Sequence, residues 1–180
     1  MASAAPGAED ELQEEGGLTT QIRDEKPEDV AAIRAVVEAA FPAPAEADLV
    51  GRLRADGDSI ISLVAVDDGL VVGHVLFSKL TAPFPALGLA PVSVLPGRQN
   101  AGIGSRLIRA GLERAVRDGW QGVFVLGEPE YYGRFGFDAD IAKGFASPYA
   151  GPYFMALALD GELPATVGRI GHAPAFAALG

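Results

Sequence analysis

Apolar positions along this chain follow first a helical rhythm and then a strand rhythm. Val30, Ile33, Val37, Ala40 and Phe41 recur at intervals of three to four residues, the spacing of one helix face, behind Pro27 at a first helical position and Glu28 and Asp29 in the first turn. Lys26 is a poor N-cap, and a short strand around Ile22 precedes it. Pro42 and Pro44 break the pattern, and a second, shorter helix turns Leu49, Val50 and Leu53 inward before Asp56 and Gly57 end it. "SIISLVAV" and "LVVGHVLFSKL" are β-rich runs whose Asp67-Asp68-Gly69 connection predicts a hairpin. "LGLAPVSVL" reads as a further strand, distorted because Pro91 offers no amide to a ladder and belongs at an edge or a bulge. A helix over residues 105–118 gathers Leu107, Ile108, Gly111, Leu112, Ala115 and Val116 on one side, with Arg106, Arg109, Glu113, Arg114 and Arg117 opposite. The buried strand "WQGVFVLG", the short helix "PEYYGRF" and strands in "GFASPY" and "YFMALALD" complete the pattern, and residues 161–180 add an extended segment.

A strand, a helix and a strand in succession make a parallel crossover, whereas the hairpin is antiparallel. The expected class is therefore α/β in the α+β sense, a mixed, mostly antiparallel central sheet with one parallel crossover, flanked by helices. At 180 residues and 49% hydrophobic composition the chain suits one domain, over residues 20–160, with an acidic tail over 1–19 and a C-terminal extension over 161–180 that packs on it. The net charge of -10 disfavours nucleic acid, which needs clustered basic residues. Glu9, Asp10, Glu11, Glu14 and Glu15 supply half of that charge without a compensating base, so the tail reads as disordered. The chain has no cysteine and two histidines, His74 and His172, which excludes disulfides, thiolate metal sites and an acyl-cysteine intermediate and predicts no zinc site. No apolar run is long enough for a membrane, and the start carries no signal-peptide pattern, so the expected location is cytoplasmic.

Candidate chemistry concentrates in "QNAGIG", residues 99–104, between the distorted strand and the long helix. Free amides and the positive end of the helix dipole meet there, and Gly102 and Gly104 let an anion approach; an ordinary tight turn is the equally weighted alternative. A Walker loop is absent, and the third glycine of a dinucleotide fingerprint is replaced by Leu107. His74 reads as a hydrogen-bonded strand residue, and His172 lies in a stretch with no diagnostic pattern.

Two ordered motifs give the chain a resemblance to the GCN5-related N-acetyltransferases, in particular their bacterial YhbS-like branch. Gln99-Asn100-Ala101-Gly102-Ile103-Gly104 matches the signature Gln/Arg-x-x-Gly-x-Gly/Ala, and "EYYGRFGF" matches the family's aromatic-Tyr helix and turn one strand later. The resemblance implies the acyl-CoA N-acyltransferase fold and a soluble enzyme moving an acetyl group from acetyl-CoA to a primary amine of a small molecule or peptide, by direct attack in a ternary complex. The pantetheine arm of acetyl-CoA would pair with Val92, Ser93 and Val94, and its pyrophosphate would meet Gln99, Asn100, Ala101, Gly102, Ile103, Gly104 and Ser105. Arg98 would reach other phosphate oxygens, with Arg106 and Arg109 more simply read as solvated helix charges. Tyr132 would face the leaving thiolate, Tyr131 would pack in the core, and Glu128, then Glu46, are the candidate bases. Two departures stand out: Asn100 replaces a common glycine, and Glu128 replaces a common histidine. A non-catalytic acyl-CoA-binding module is the rival reading, and Tyr132 favours the enzyme, since a mere binder needs no thiolate donor. A homodimer is expected if a sheet edge or the C-terminal segment pairs two copies.

Overall fold

The computed structural model describes residues 19–179, so the acidic tail up to residue 18 lies outside the described residues. Strand β1 (Gln21–Asp24) leads through one 3-10 turn, Pro27–Asp29, into α1 (Val30–Ala40). Lys26 supplies no side-chain cap; instead Asp29 reaches back to accept the Lys26 backbone amide at 2.7 Å, and it is held by Arg23 at 2.7 and 3.1 Å. Helix α1 buries Ile33, Val36, Val37 and Ala40, whereas Val30, at the rim of the apolar arc, is exposed.

Helix α2 (Ala45–Ala55) buries Leu49, Val50 and Leu53 as its spacing requires. Strands β2 (Ser59–Asp67) and β3 (Leu70–Leu80) form the hairpin, with Asp67 opposite Leu70. Asp68 and Gly69 adopt φ of 52° and 79°, the doubly positive turn whose twist suits paired strands. Strand β4 (Ala86–Val94) runs antiparallel to β3. Val75 faces Val92 and Phe77 faces Leu89, so Leu76 alone spans Ala90 and Pro91. This is the bulge that Pro91 predicted, set inside the sheet rather than at its rim.

Helix α3 (Ile103–Arg117) returns the chain to β5 (Gly122–Leu126), parallel to β4. Helix α3 begins two residues before the expected start, because Gly102 and not Ser105 closes the turn ahead of it. Its buried face includes Leu107, Ile108, Gly111 and Ala115. Val116 is exposed: one step past Ala115 rotates it off the arc. The short helix α4 (Pro129–Tyr132), a 3-10 turn over Gly133–Phe135, α5 (Ala139–Ala142) and β6 (Phe145–Ala146) precede β7 (Phe154–Ala158), antiparallel to β5. The last 3-10 turn, Pro174–Leu179, follows β8 (Gly168–Arg169), which pairs with β6 in a two-stranded sheet of its own.

The main sheet has the order β1-β2-β3-β4-β5-β7, mixed as expected. One face is sealed by α3 over Leu63, Val75, Phe77, Leu89 and Val123. The other is sealed by α1, α2 and the C-terminal segment, where Ile33, Leu53, Leu76, Phe124, Phe154 and Phe176 meet. Each fully buried large side chain here contributes about 1.5–3 kcal/mol of burial. The crossover can lie close because Gly73 and Gly111 present no side chain to α3 and Phe77: a Cβ on Gly111 would stand 2.1 Å from the Phe77 ring.

Candidate active site

The parallel pair β4–β5 is incomplete. Ala86, Leu87 and Gly88 pair with Gly122, Val123 and Phe124, and past Gly88 the two strands part. Strand β5 stays paired with β7 through Leu126, while β4, kinked by the bulge, follows β3 to Val94. The wedge left between them contains, on its β4 wall, the buried Val92, Ser93 and Val94.

Residues 95–105 close the narrow turn above that wall. A 3-10 turn, Pro96–Arg98, precedes Asn100 at φ 64° and Gly102 at φ 82°. These two left-handed residues bend the backbone sharply into α3, and a glycine at 102 meets that demand at no steric cost. Gly102 is the N-cap and, as a glycine, has no side chain with which to cap the helix. The first intrahelical bond is donated by Arg106 to the Gly102 carbonyl, so helix geometry leaves the amides of Ile103, Gly104 and Ser105 without acceptors inside the helix. The Ser105 hydroxyl is buried beside them and has no hydrogen-bond partner among the described residues. Amides, hydroxyl and dipole thus form one anion-seeking surface next to the wedge.

The predicted loop residues divide by what they touch. Asn100, Ala101, Gly102, Ile103, Gly104 and Ser105 form the bend and the helix start. The Gln99 amide nitrogen donates to the Val94 carbonyl at 3.0 Å, tying the loop to the end of β4. Arg98 forms an ion pair with Asp67, which anchors the loop to the β2–β3 hairpin. Arg106 donates to the Thr20 carbonyl at 2.7 Å, and Arg109 lies 4.8 Å over the Phe135 ring.

Beyond β5, the Glu128 backbone carbonyl accepts the amides of Tyr131 and Tyr132 and so opens α4; its side chain is exposed. Tyr132 is 1% exposed, its hydroxyl oxygen sealed from solvent, with its ring edge-on to Tyr131 and Phe137. Tyr131 is buried under the guanidinium of Arg134 at 4.5 Å, a packing role. Glu46 is half-buried in the first turn of α2, away from the loop in the chain but on the helix that covers the opposite face.

Two polar clusters lie outside every sequence motif. In the first, Arg54 grips Glu25 through two bonds of 2.8 and 2.9 Å, the Ser62 hydroxyl donates to Glu25 at 2.6 Å, and the same hydroxyl stands 2.8 Å from His74 Nε2. Burial pushes the Glu25 carboxyl up, but the bonds from Arg54 and Ser62 outweigh it and leave its pKa below the usual carboxylate value. Burial drives His74 down to about 4, against the pull of Glu25, so the ring is neutral at ordinary pH. In the second cluster, His172 Nε2 lies 2.9 Å from the Ser147 hydroxyl, and the ring packs edge-on among Tyr149, Phe154 and Phe176. Burial again lowers its pKa to about 4. Their partners sit 12 to 37 positions away, so no local spacing signals either cluster.

Comparison with known proteins agrees with this geometry. Residues 28–137 match the model of the Acetyltransferase (GNAT) family. The chain is 41% identical over 144 residues to the uncharacterized N-acetyltransferase YjhQ of Escherichia coli, covering 75% of this chain and 78% of that one. The crystal structure of Escherichia coli YhbS in complex with CoA superposes with a TM-score of 0.85 at 32% identity, over 91% of this chain and 94% of that one. A GNAT acetyltransferase from Brucella melitensis in complex with acetyl-CoA gives a TM-score of 0.76 at 40% identity, over 87% and 97% of the two chains. With the wedge, the uncapped helix and the family match in agreement over the same residues, this chain belongs to the acetyltransferase (GNAT) family.

Proposed function

We propose that the chain is an acetyl-CoA-dependent N-acetyltransferase that acetylates a primary amine of a small molecule or peptide by direct attack in a ternary complex. The observation that carries this reading is the open edge of β4 beside the uncapped start of α3. An extended pantetheine arm finds backbone groups of Val92, Ser93 and Val94 on the wedge wall, as an added strand would. A pyrophosphate finds the amides of Ile103, Gly104 and Ser105 and the Ser105 hydroxyl. Gln99, Asn100, Ala101 and Gly102 shape that cradle, and Arg98, ion-paired with Asp67, braces it from the hairpin side and reaches phosphate oxygens only by exchanging that partner. YhbS and the Brucella protein, whose structures hold CoA and acetyl-CoA, support this choice of donor.

The chemistry follows from the groups around the wedge. An amine arrives as an ammonium ion and must lose a proton before it can attack. Glu128, exposed at the mouth of β5, receives that proton through water. The neutral nitrogen attacks the thioester carbonyl, the C–N bond forms, and the oxyanion is met by backbone amide at the bulged end of β4; the nitrogen, cationic once bonded, sheds one further proton as the intermediate collapses. As the C–S bond breaks, the Tyr132 phenol donates its proton to the sulfur. The chain has no cysteine, so no acyl-cysteine intermediate divides the reaction.

Calorimetry and turnover test the reading together. Acetyl-CoA should bind the wild type and fail to bind Gly102→Glu, whose side chain would place a carboxylate in the phosphate cradle at a φ of 82°. Thiol release across a panel of amines should then reveal turnover. Tyr132→Phe should lower kcat by about 10²-fold or more with cofactor affinity kept. Equal binding by wild type and Gly102→Glu, or release of no thiol with any amine, would reject the proposal.

A further inference from the structure

We infer that His74 is the proton acceptor of the acetyl-transfer step, oriented for that role by Ser62 and Glu25; the inference rests on the transferase reading above and names a base inside the fold. The direction of the hydrogen-bond chain sets the state of the ring. An ionised carboxylate can only accept, so Glu25 takes the Ser62 hydroxyl hydrogen at 2.6 Å. The Ser62 oxygen is thereby left to accept, and the group 2.8 Å away that must donate to it is Nε2–H of His74. The neutral imidazole then carries its lone pair on Nδ1.

That lone pair is buried and has no hydrogen-bond partner among the described residues. His74 is fully enclosed, on the sheet face covered by α1 and α2, directly opposite Ser93 in the β3–β4 register. The Ser93 hydroxyl is likewise buried and without a partner among the described residues. Side chains opposed in this way stand about 4.5–5.5 Å apart at Cβ, so the two orphaned groups, a lone pair and a hydroxyl, belong to neighbouring residues, with Ser93 on the β4 wall of the wedge. Unsatisfied buried polar atoms are costly, and a ligand that brings a proton to Nδ1 and accepts from Ser93 removes that cost.

When the amine has attacked, its nitrogen is cationic; the N–H bond breaks as the Nδ1–H bond forms, directly or through one water. The imidazolium so produced keeps its Nε2–H on Ser62 and has the Glu25 carboxylate 3.9 Å away as counter-charge. Arg54 holds that carboxylate in place from the solvent side. The sulfur takes its proton from Tyr132, and after the products leave, the imidazolium gives its proton to water and the phenolate takes one back. No oxidant, metal or further reactant enters.

The decisive variant is His74→Gln, whose side-chain amide retains a donor toward Ser62 but whose carbonyl oxygen is far too weak a base to take a proton. The expected result is a Tm near that of the wild type, acetyl-CoA affinity within about twofold, and kcat lowered by about 10²-fold. Glu25→Gln and Ser62→Ala should lower kcat by smaller factors while leaving KM for acetyl-CoA in place. His74→Ala should regain part of its rate when imidazole is added, a response that a merely structural histidine would not give. Full activity of His74→Gln beside an active wild type, or no rescue of a folded, acetyl-CoA-binding His74→Ala by imidazole, would overturn the role of His74 alone. A wild type inactive on every amine would overturn the transferase reading and this inference with it.

Discussion

Single residues here carry charge states that the fold imposes, and His74 is the sharpest case. Folding moves its pKa from 6.5 to about 4, chiefly by burial, and a drop of that size corresponds to roughly 3 kcal/mol. Since the folded pKa is the lower one, the unfolded chain binds the extra proton. The contribution is therefore complete above pH 6.5 and is lost as pH falls toward 4. His172 shifts in the same direction with a smaller net weight, because its ring is less enclosed. Asp29 adds a second, more acidic phase: the Arg23 hydrogen bond holds its carboxyl below the usual value, so its share is lost only as pH falls through that lowered pKa. Denaturant titrations from pH 7.5 to pH 4.5 should show stability falling steeply below pH 6.5. In His74→Gln the steep part should shrink to what His172 contributes; an unchanged slope would place the acid sensitivity elsewhere.

Elements depend on small residues at their contacts, and two glycines give opposite tests. A methyl on Gly111 would lie 2.1 Å from Phe77, whose ring is fully buried and has nowhere to swing. Overpacking of this kind costs about 1–3 kcal/mol, which exceeds the roughly 1 kcal/mol that alanine gains over glycine in a helix. Gly111→Ala should therefore lower Tm by several degrees. Gly51, in α2, has open space within 4 Å of a built Cβ, so only the helix gain remains and Gly51→Ala should raise Tm by a few degrees. Equal shifts of the two variants in thermal melts would mean that Phe77 yields. The same elements mark what the sequence discloses. Periodicity revealed α1, α2 and α3 because each buries one face, whereas the hairpin was legible from two β-rich runs joined at Asp68-Gly69, since β3 is buried on both faces and has no alternation to read. Pro91 revealed the bulge because a missing amide has few places in a sheet. The loop Gln99 to Gly104 was legible because glycines and a helix start lie within six residues. Strands β6 and β8 span two residues each, too short for any rhythm, and the residues 161–173 contribute mainly through contacts such as Thr81 with Gly171. The Glu25–Ser62–His74 chain escaped because it is assembled from Glu25 just past β1, Ser62 on β2 and His74 on β3, residues whose types alone suggest only polar positions at or beside strands.

For the molecule as a whole, charge is distributed against its own donor. The net charge of -10 repels a polyanionic acyl-CoA at long range, while Arg106, Arg109 and Arg117 give α3 local positive charge. A cationic amine feels the opposite pull, toward an acidic body. Raising ionic strength from about 0.01 M to about 0.1 M shortens the screening length from about 30 Å to about 10 Å, which removes the long-range part and keeps the contacts. With a cationic acceptor, kcat/KM for the amine should thus fall several-fold with added salt, and KM for acetyl-CoA should change less, because its attraction is local. Five of the ten net negative charges lie in residues 1–18, so a chain lacking them should show a markedly weaker salt effect on the amine. A salt-independent kcat/KM for the amine would mean that the acidity serves solubility alone. A salt effect unchanged by the deletion would instead assign the steering to the acidic residues of the folded part.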